Sequence, residues 1–101
     1  YVNLRPAYLF PGVPCPLGGK KPGAIDMLVF RENTEGEYAP VGGTLYPNSP
    51  DTVAVQTGVF TRRGCDRILR AAFAAARARP RKTLTSVTKS NAMVYGMGLW
   101  D

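Results

Sequence analysis

The sequence predicts an α/β chain that carries a projecting β-hairpin. Three observations lead there. Ile25-Asp26-Met27-Leu28-Val29-Phe30-Arg31 is a short, mostly apolar, β-rich run ending in polar Glu32-Asn33-Thr34-Glu35. Thr61 opens a stretch with helical apolar periodicity that Pro80 closes, and another β-prone run follows it. Between them, residues 37–60 hold two β-rich runs around the turn cluster Pro47-Asn48-Ser49-Pro50-Asp51. Strands alternating with helices favour α/β over an all-α or all-β class.

Residues 1–10 are rich in β-formers, but Pro6 removes a ladder donor, which predicts an interrupted or edge strand. Residues 11–23 combine Pro, Gly and the Lys20-Lys21 pair, which is loop chemistry. In the excursion over residues 39–59, Thr52 to Thr57 alternates at period two, and an antiparallel pair of that length is marginal alone in water. A second subunit is its expected cover.

Thr61 is a good N-cap, and Cys65, Leu69, Ala72 and Ala76 recur at helical spacing, with Ile68 and Phe73 widening the stripe. Arg62, Arg63, Arg67, Arg70, Arg77 and Arg79 are expected on the other faces, and Pro80 predicts an end near Ala78 or Arg79. Lys82 to Thr88 is β-prone, with Leu84, Ser86 and Thr88 on one side and Thr83, Thr85 and Val87 on the other. Asn91 to Asp101 predicts a further helix.

At 101 residues, with 45% hydrophobic and 20% charged residues, the composition is that of a folded chain with a modest core. The start at Tyr1 without Met, and the stop at Leu99-Trp100-Asp101 inside an amphipathic run, suggest one partial domain, residues 1–101, of something longer. No apolar stretch is long enough to span a membrane and no signal-peptide pattern is present, so a cytoplasmic setting is expected. Cys15 and Cys65 read as two reduced thiols, and the absence of His excludes a His-based triad or zinc site in these residues. Thirteen Lys and Arg against seven Asp and Glu leave +6, which attracts polyanions of any kind. No aromatic-basic RNA motif or helix-turn-helix pattern supports a nucleic-acid module.

The informative cations lie at strand ends: Arg5 before Pro6, Arg31 after one apolar strand and Lys89 after another. Open α/β folds bind ligands at strand ends, and guanidinium forks match carboxylates. Converging there, they would clamp a small di- or tri-acid, while Tyr38 and Lys89 are groups that can serve as acid and base. Taken singly, each also has an ordinary reading as a solvated cation or a packed aromatic.

Four strings go further: Asn3-Leu4-Arg5-Pro6, Arg31-Glu32-Asn33-Thr34-Glu35-Gly36-Glu37-Tyr38, Phe60-Thr61-Arg62-Arg63-Gly64 and Thr85-Ser86-Val87-Thr88-Lys89-Ser90-Asn91. In order and spacing they resemble the middle part of β-decarboxylating dehydrogenases, the isocitrate/isopropylmalate dehydrogenase-like family. With Pro14-Cys15-Pro16-Leu17, the version here resembles most the tartrate and D-malate dehydrogenase type. Isocitrate dehydrogenases share the acidic-Gly-Tyr string, isopropylmalate dehydrogenases usually carry a different one, and a non-catalytic dimerisation fragment is a further alternative.

The resemblance implies a central segment of that α/β fold, with residues 39–59 as a dimerisation arm in a homodimer. It implies that Arg5 and Arg31 bind substrate carboxylates, that Tyr38 protonates the enol left by decarboxylation, and that Lys89, reaching across from the partner, assists removal of the hydroxyl proton. Asn91 is implied near the nicotinamide end of NAD. Mg²⁺ or Mn²⁺ is implied as a Lewis acid. Asp26, Asp51, Asp66 and Asp101 do not match the family's metal ligands, which are expected outside these residues.

Overall fold

The computed structural model describes all 101 residues. Two strands, β1 (Val2–Tyr8) and β2 (Asp26–Glu32), pair antiparallel, with Asn3 opposite Arg31, Arg5 opposite Val29 and Tyr8 opposite Asp26. A second antiparallel pair, β3 (Gly42–Leu45) and β4 (Val53–Gln56), forms the hairpin expected over residues 39–59. Helix α1 (Arg62–Ala78) and the short helix α2 (Val94–Trp100) complete the chain.

Pro6 is accommodated because β1 has a strand on one side only, so its missing N–H breaks no second ladder. Helix α1 begins as its sequence demands: Thr61 Oγ1 accepts the Gly64 N–H at 3.0 Å, and Arg79 is the C-cap immediately before Pro80. Its buried row is Gly64, Ile68, Ala72 and Ala76. Phe73 is not part of that face, being 53% exposed, because its position lies one residue round from the row that meets β2.

Two arginines expected on the solvent side instead hold α1 to the sheet. Arg67 reaches Glu32 at 2.8 Å and Arg79 reaches Asp26 at 2.7 Å. Glu32 and Asp26 are six residues apart on β2, about 20 Å at strand rise. Arg67 on α1 and the C-cap Arg79 are twelve residues apart, about 18 Å at helical rise. The two spans match, so the helix lies along the strand in the opposite sense with an ion pair at each end.

Three expectations are corrected. Strand β2 is not mostly buried: its pattern alternates, because α1 covers only the face of Leu28, Phe30 and Glu32, leaving Met27 and Val29 about half exposed. Lys82 to Thr88 joins no ladder, since no strand lies beside it; Trp100 Nε1 donating to Ser86 Oγ at 3.0 Å is its tether. The second helix starts at Val94 rather than near Asn91, after a turn in which the Lys89 carbonyl accepts the Ala92 and Met93 N–H groups.

The core is small. Five hydrophobic residues are buried, Ile68 most completely, and the radius of gyration is 18.4 Å against about 13 Å for a compact domain of this length. Both hairpin strands are exposed along their whole length, and Tyr95 on α2 is 98% exposed. No helix is long and apolar enough to cross a membrane.

The Glu32 carboxylate is the most strongly perturbed group. Burial alone pushes it up, but the Thr34 hydroxyl, the Thr34 and Glu35 N–H groups and Arg67 outweigh this and hold it at about 2, against an ordinary 4.5. A depressed folded value means that the stabilisation is complete above pH 4.5 and is lost as pH falls towards 2. The stability gap between the complete protein and its Glu32→Gln variant, at most about 3 kcal/mol at pH 7, should therefore narrow across that window. Denaturant melts at several pH values measure it, and a pH-independent gap would exclude Glu32 as the anchor. Gly64→Ala places a methyl group against the Glu35 carboxylate and should lower stability by about 1–3 kcal/mol in the same melts.

Candidate active site

The turn after β2 builds the site. Glu32 Oε2 accepts the Thr34 N–H at 2.8 Å and the Glu35 N–H at 2.7 Å, and Oε1 accepts the Thr34 hydroxyl at 2.6 Å. That carboxylate folds the chain sharply back on itself. Gly36 takes φ +67, a conformation that suits glycine, and exchanges hydrogen bonds with Val59 at 2.6 and 3.1 Å. The chain then delivers Tyr38 beside the strand it has just left.

Arg31 and Tyr38 meet as a result, the guanidinium carbon lying 4.4 Å from the centre of the phenol ring. Such a cation–π contact restrains the guanidinium over the ring while leaving N–H groups available to an anion. Tyr38 is 56% exposed, so the ring shields only one side of the pair and ligand can approach the other.

Arg5 lies on the same face of the sheet. Directly opposed antiparallel residues share a face and successive residues alternate, so Asn3, Arg5, Val29 and Arg31 stand together, on the side away from α1. Arg5 Nε donates to Asn3 Oδ1 at 3.1 Å, and Asn3 Nδ2 donates to Asn33 Oδ1 at 3.3 Å. Neither asparagine stood out in the sequence as a site residue. Their positions one strand step from Arg5 and beyond Arg31 were the available signal, but it becomes visible only once the register is known.

Lys89 and Asn91 are exposed and belong to the turn before α2, whose place is set by Gly96: a Cβ there would collide with the Phe60 ring. Neither hydrogen-bonds to Arg5, Arg31 or Tyr38. Within one chain, then, three of the five expected residues share a face and two stand on a separate loop.

Three carboxylates near the sheet and the start of α1 already have partners. Glu32 is bound to Arg67, Asp26 to Arg79, and Glu35 accepts both the N–H and the hydroxyl of Thr61 at 3.0 and 2.7 Å. No three His, Cys, Asp or Glu side chains gather in a way that could hold a cation. Cys15 and Cys65 are both free, and burial with nearby Glu35 and Asp66 pushes the Cys65 thiol up, away from reactivity.

The chain has relatives along its whole length. The family described as isocitrate/isopropylmalate dehydrogenase matches residues 1–101. A D-malate dehydrogenase [decarboxylating] of Escherichia coli K12 is 62% identical over the whole chain, and a tartrate dehydrogenase/decarboxylase of Pseudomonas putida is 54% identical. A 3-isopropylmalate dehydrogenase of Thermobifida fusca is 52% identical, also over the whole chain. The chain spans 28% of the length of each of these relatives. Among solved structures, an isocitrate dehydrogenase from Methylococcus capsulatus superposes with a TM-score of 0.83 at 35% identity, over 99% of this chain and 28% of that one. With its whole length matched by the family and its fold shared with a solved member, the chain belongs to the isocitrate/isopropylmalate dehydrogenase family.

Proposed function

We propose that the complete protein carrying this chain oxidises and decarboxylates a 2-hydroxy diacid, D-malate or tartrate, with NAD as hydride acceptor. The observation that carries the reading is the Arg31–Tyr38 stack at 4.4 Å with Arg5 on the same sheet face. Two guanidinium groups and a phenol on one open surface suit a small molecule with two carboxylates and a carbon to be protonated. The similarity to D-malate and tartrate dehydrogenases narrows the diacid.

In this reading, Arg31 and Arg5 each hold one carboxylate and so fix the hydroxyl-bearing carbon. NAD supplies the hydride acceptor when bound. Lys89 takes up the hydroxyl proton as the alcohol becomes a ketone. The β-carboxylate then leaves as carbon dioxide, its bonding electrons form the enolate, and Tyr38 returns a proton to carbon. Asn91 borders the nicotinamide end of the cofactor from the Lys89 loop. Mg²⁺ or Mn²⁺ would be held by carboxylates outside this chain, since no three Asp or Glu side chains gather within it.

Within one chain Lys89 makes no hydrogen bond to Arg5, Arg31 or Tyr38, which suits a homodimer in which the lysine of one subunit serves the site of the other. The hairpin, with residues such as Leu45, Val53 and Val55 about half exposed, is the apolar surface that such a dimer would cover. A cytoplasmic location without membrane or nucleic-acid partners fits a diacid dehydrogenase. No helix here is a membrane span.

The test is NADH absorbance with the complete protein, Mg²⁺ or Mn²⁺, and D-malate, tartrate, isocitrate and 3-isopropylmalate in turn. Turnover should be highest on D-malate or tartrate, and preference for either of the others would move the protein to that branch of the family. Residues 1–101 alone should show none. Lys89→Ala should cut kcat by about 10²- to 10⁴-fold, as loss of a proton-transfer group does. Arg31→Ala should chiefly raise KM. Unchanged chemistry-limited turnover in Lys89→Ala would remove the lysine from the mechanism. In sedimentation equilibrium at micromolar concentration the complete protein should be a dimer; a clean monomer would retire the arm assignment.

A further inference from the structure

We infer that Asn3 is a positioning residue that aims Arg5 at a substrate carboxylate, with Asn33 holding Asn3 in turn. The inference rests on the diacid reading above. It begins from a constraint of hydrogen-bond polarity: a guanidinium only donates, so the side-chain atom of Asn3 that meets Arg5 Nε at 3.1 Å must be the amide oxygen. The amide nitrogen of Asn3 then points the other way and donates to Asn33 Oδ1 at 3.3 Å. The direction of the whole chain, Asn3 to Asn33 and Arg5 to Asn3, is therefore set by the arginine at its end.

The consequence for Arg5 is geometric. A guanidinium can offer a carboxylate either its side edge, which includes Nε, or its end, formed by the two terminal nitrogens. With Nε engaged by Asn3, the end is the edge left for a bidentate ligand. Asn3 faces Arg31 across the β1–β2 ladder, and the Asn33 N–H donates to the Tyr1 carbonyl at 3.2 Å. The relay thus ties the direction of Arg5 to the same strand end from which Arg31 and the turn to Tyr38 emerge. Two arginines that must grip two ends of one small diacid are held at a fixed separation and angle, where a freely rotating Arg5 would lose side-chain entropy on each binding event.

The experiment uses the complete protein and its Asn3→Leu variant, similar in size but without an acceptor. Asn3→Leu should raise KM for the preferred diacid about 3- to 10-fold, the worth of one exposed side-chain hydrogen bond, with kcat changed less. Asn3→Asp keeps an acceptor for Arg5 Nε, and Asn33 can turn its amide nitrogen towards it, so this variant should recover most of the loss. In an Arg5→Lys background, which has no Nε edge to orient, Asn3→Leu should add almost nothing to KM. Equal costs of Asn3→Leu in both backgrounds, or failure of Asn3→Asp to recover affinity, would overturn the positioning role. Calorimetric titration with D-malate and tartrate separates the two levels. A complete protein that neither binds nor oxidises any diacid overturns the proposed function and this inference with it. One that oxidises a diacid yet shows additive Asn3 and Arg5 effects overturns the inference alone.

Discussion

The carboxylate of Glu32 is the point on which the rest of this structure turns. It ends β2, accepts two backbone N–H groups and a hydroxyl from the turn that follows, and binds the guanidinium of Arg67 on α1. One partly buried anion thereby fixes the strand end, the reversal after it and the helix packed beneath. Taking a charge out of water is costly without partners, and Glu32 accepts four hydrogen bonds. Arg31 and Tyr38, the residues on either side of this reversal, stack because the chain between them is folded over that anion.

Glu35 extends the same logic to the helix start. It accepts both the N–H and the hydroxyl of Thr61, while Thr61 Oγ1 accepts from Gly64, so a carboxylate and an N-cap are joined at the positive end of α1. This explains why glycine stands at position 64: the carboxylate occupies the space that a side chain would need. The Glu32 to Gly36 and Thr61 to Gly64 strings are thus two halves of one joint. It also closes the base of the hairpin, where Gly36 bridges Val59 and Gln56 Nε2 donates to the carbonyls of Glu37 and Ala39 at 3.2 and 3.0 Å.

Much of this was legible in the sequence where local chemistry decides the outcome. The N-cap at Thr61, the stop at Pro80 and the turn cluster at 47–51 each determine a boundary by themselves, and α1 and the hairpin lie where they predict. What escaped depends on partners distant in sequence. Arg67 and Arg79 carry the same charge as their neighbours on α1, and only the matching spans of helix and strand show that these two face β2. Phe73 satisfies an apolar pattern, but the row touching the sheet is built from smaller residues that let the helix approach closely. Lys82 to Thr88 has strand composition without a strand to pair with, and composition cannot supply one. Of the site, the separate residues could be named from their strings, whereas the Arg31–Tyr38 stack and the Asn33–Asn3–Arg5 relay required the register.

Register is also what lets one dipeptide serve two purposes. Successive residues of a strand point to opposite faces, so Arg31 and Glu32, adjacent in sequence, send a cation to the open face and an anion to the helix. On β1, Arg5 stands with Arg31, while Leu4 stands opposite Phe30 on the face of α1. A slip of β1 by one residue would bring Leu4 to the face of Arg31 and carry Arg5 to the opposite one, separating the two arginines. The β1–β2 register therefore keeps the two arginines on one face, while the same alternation on β2 turns Glu32 to α1. Stability and ligand geometry are specified by the same alternation.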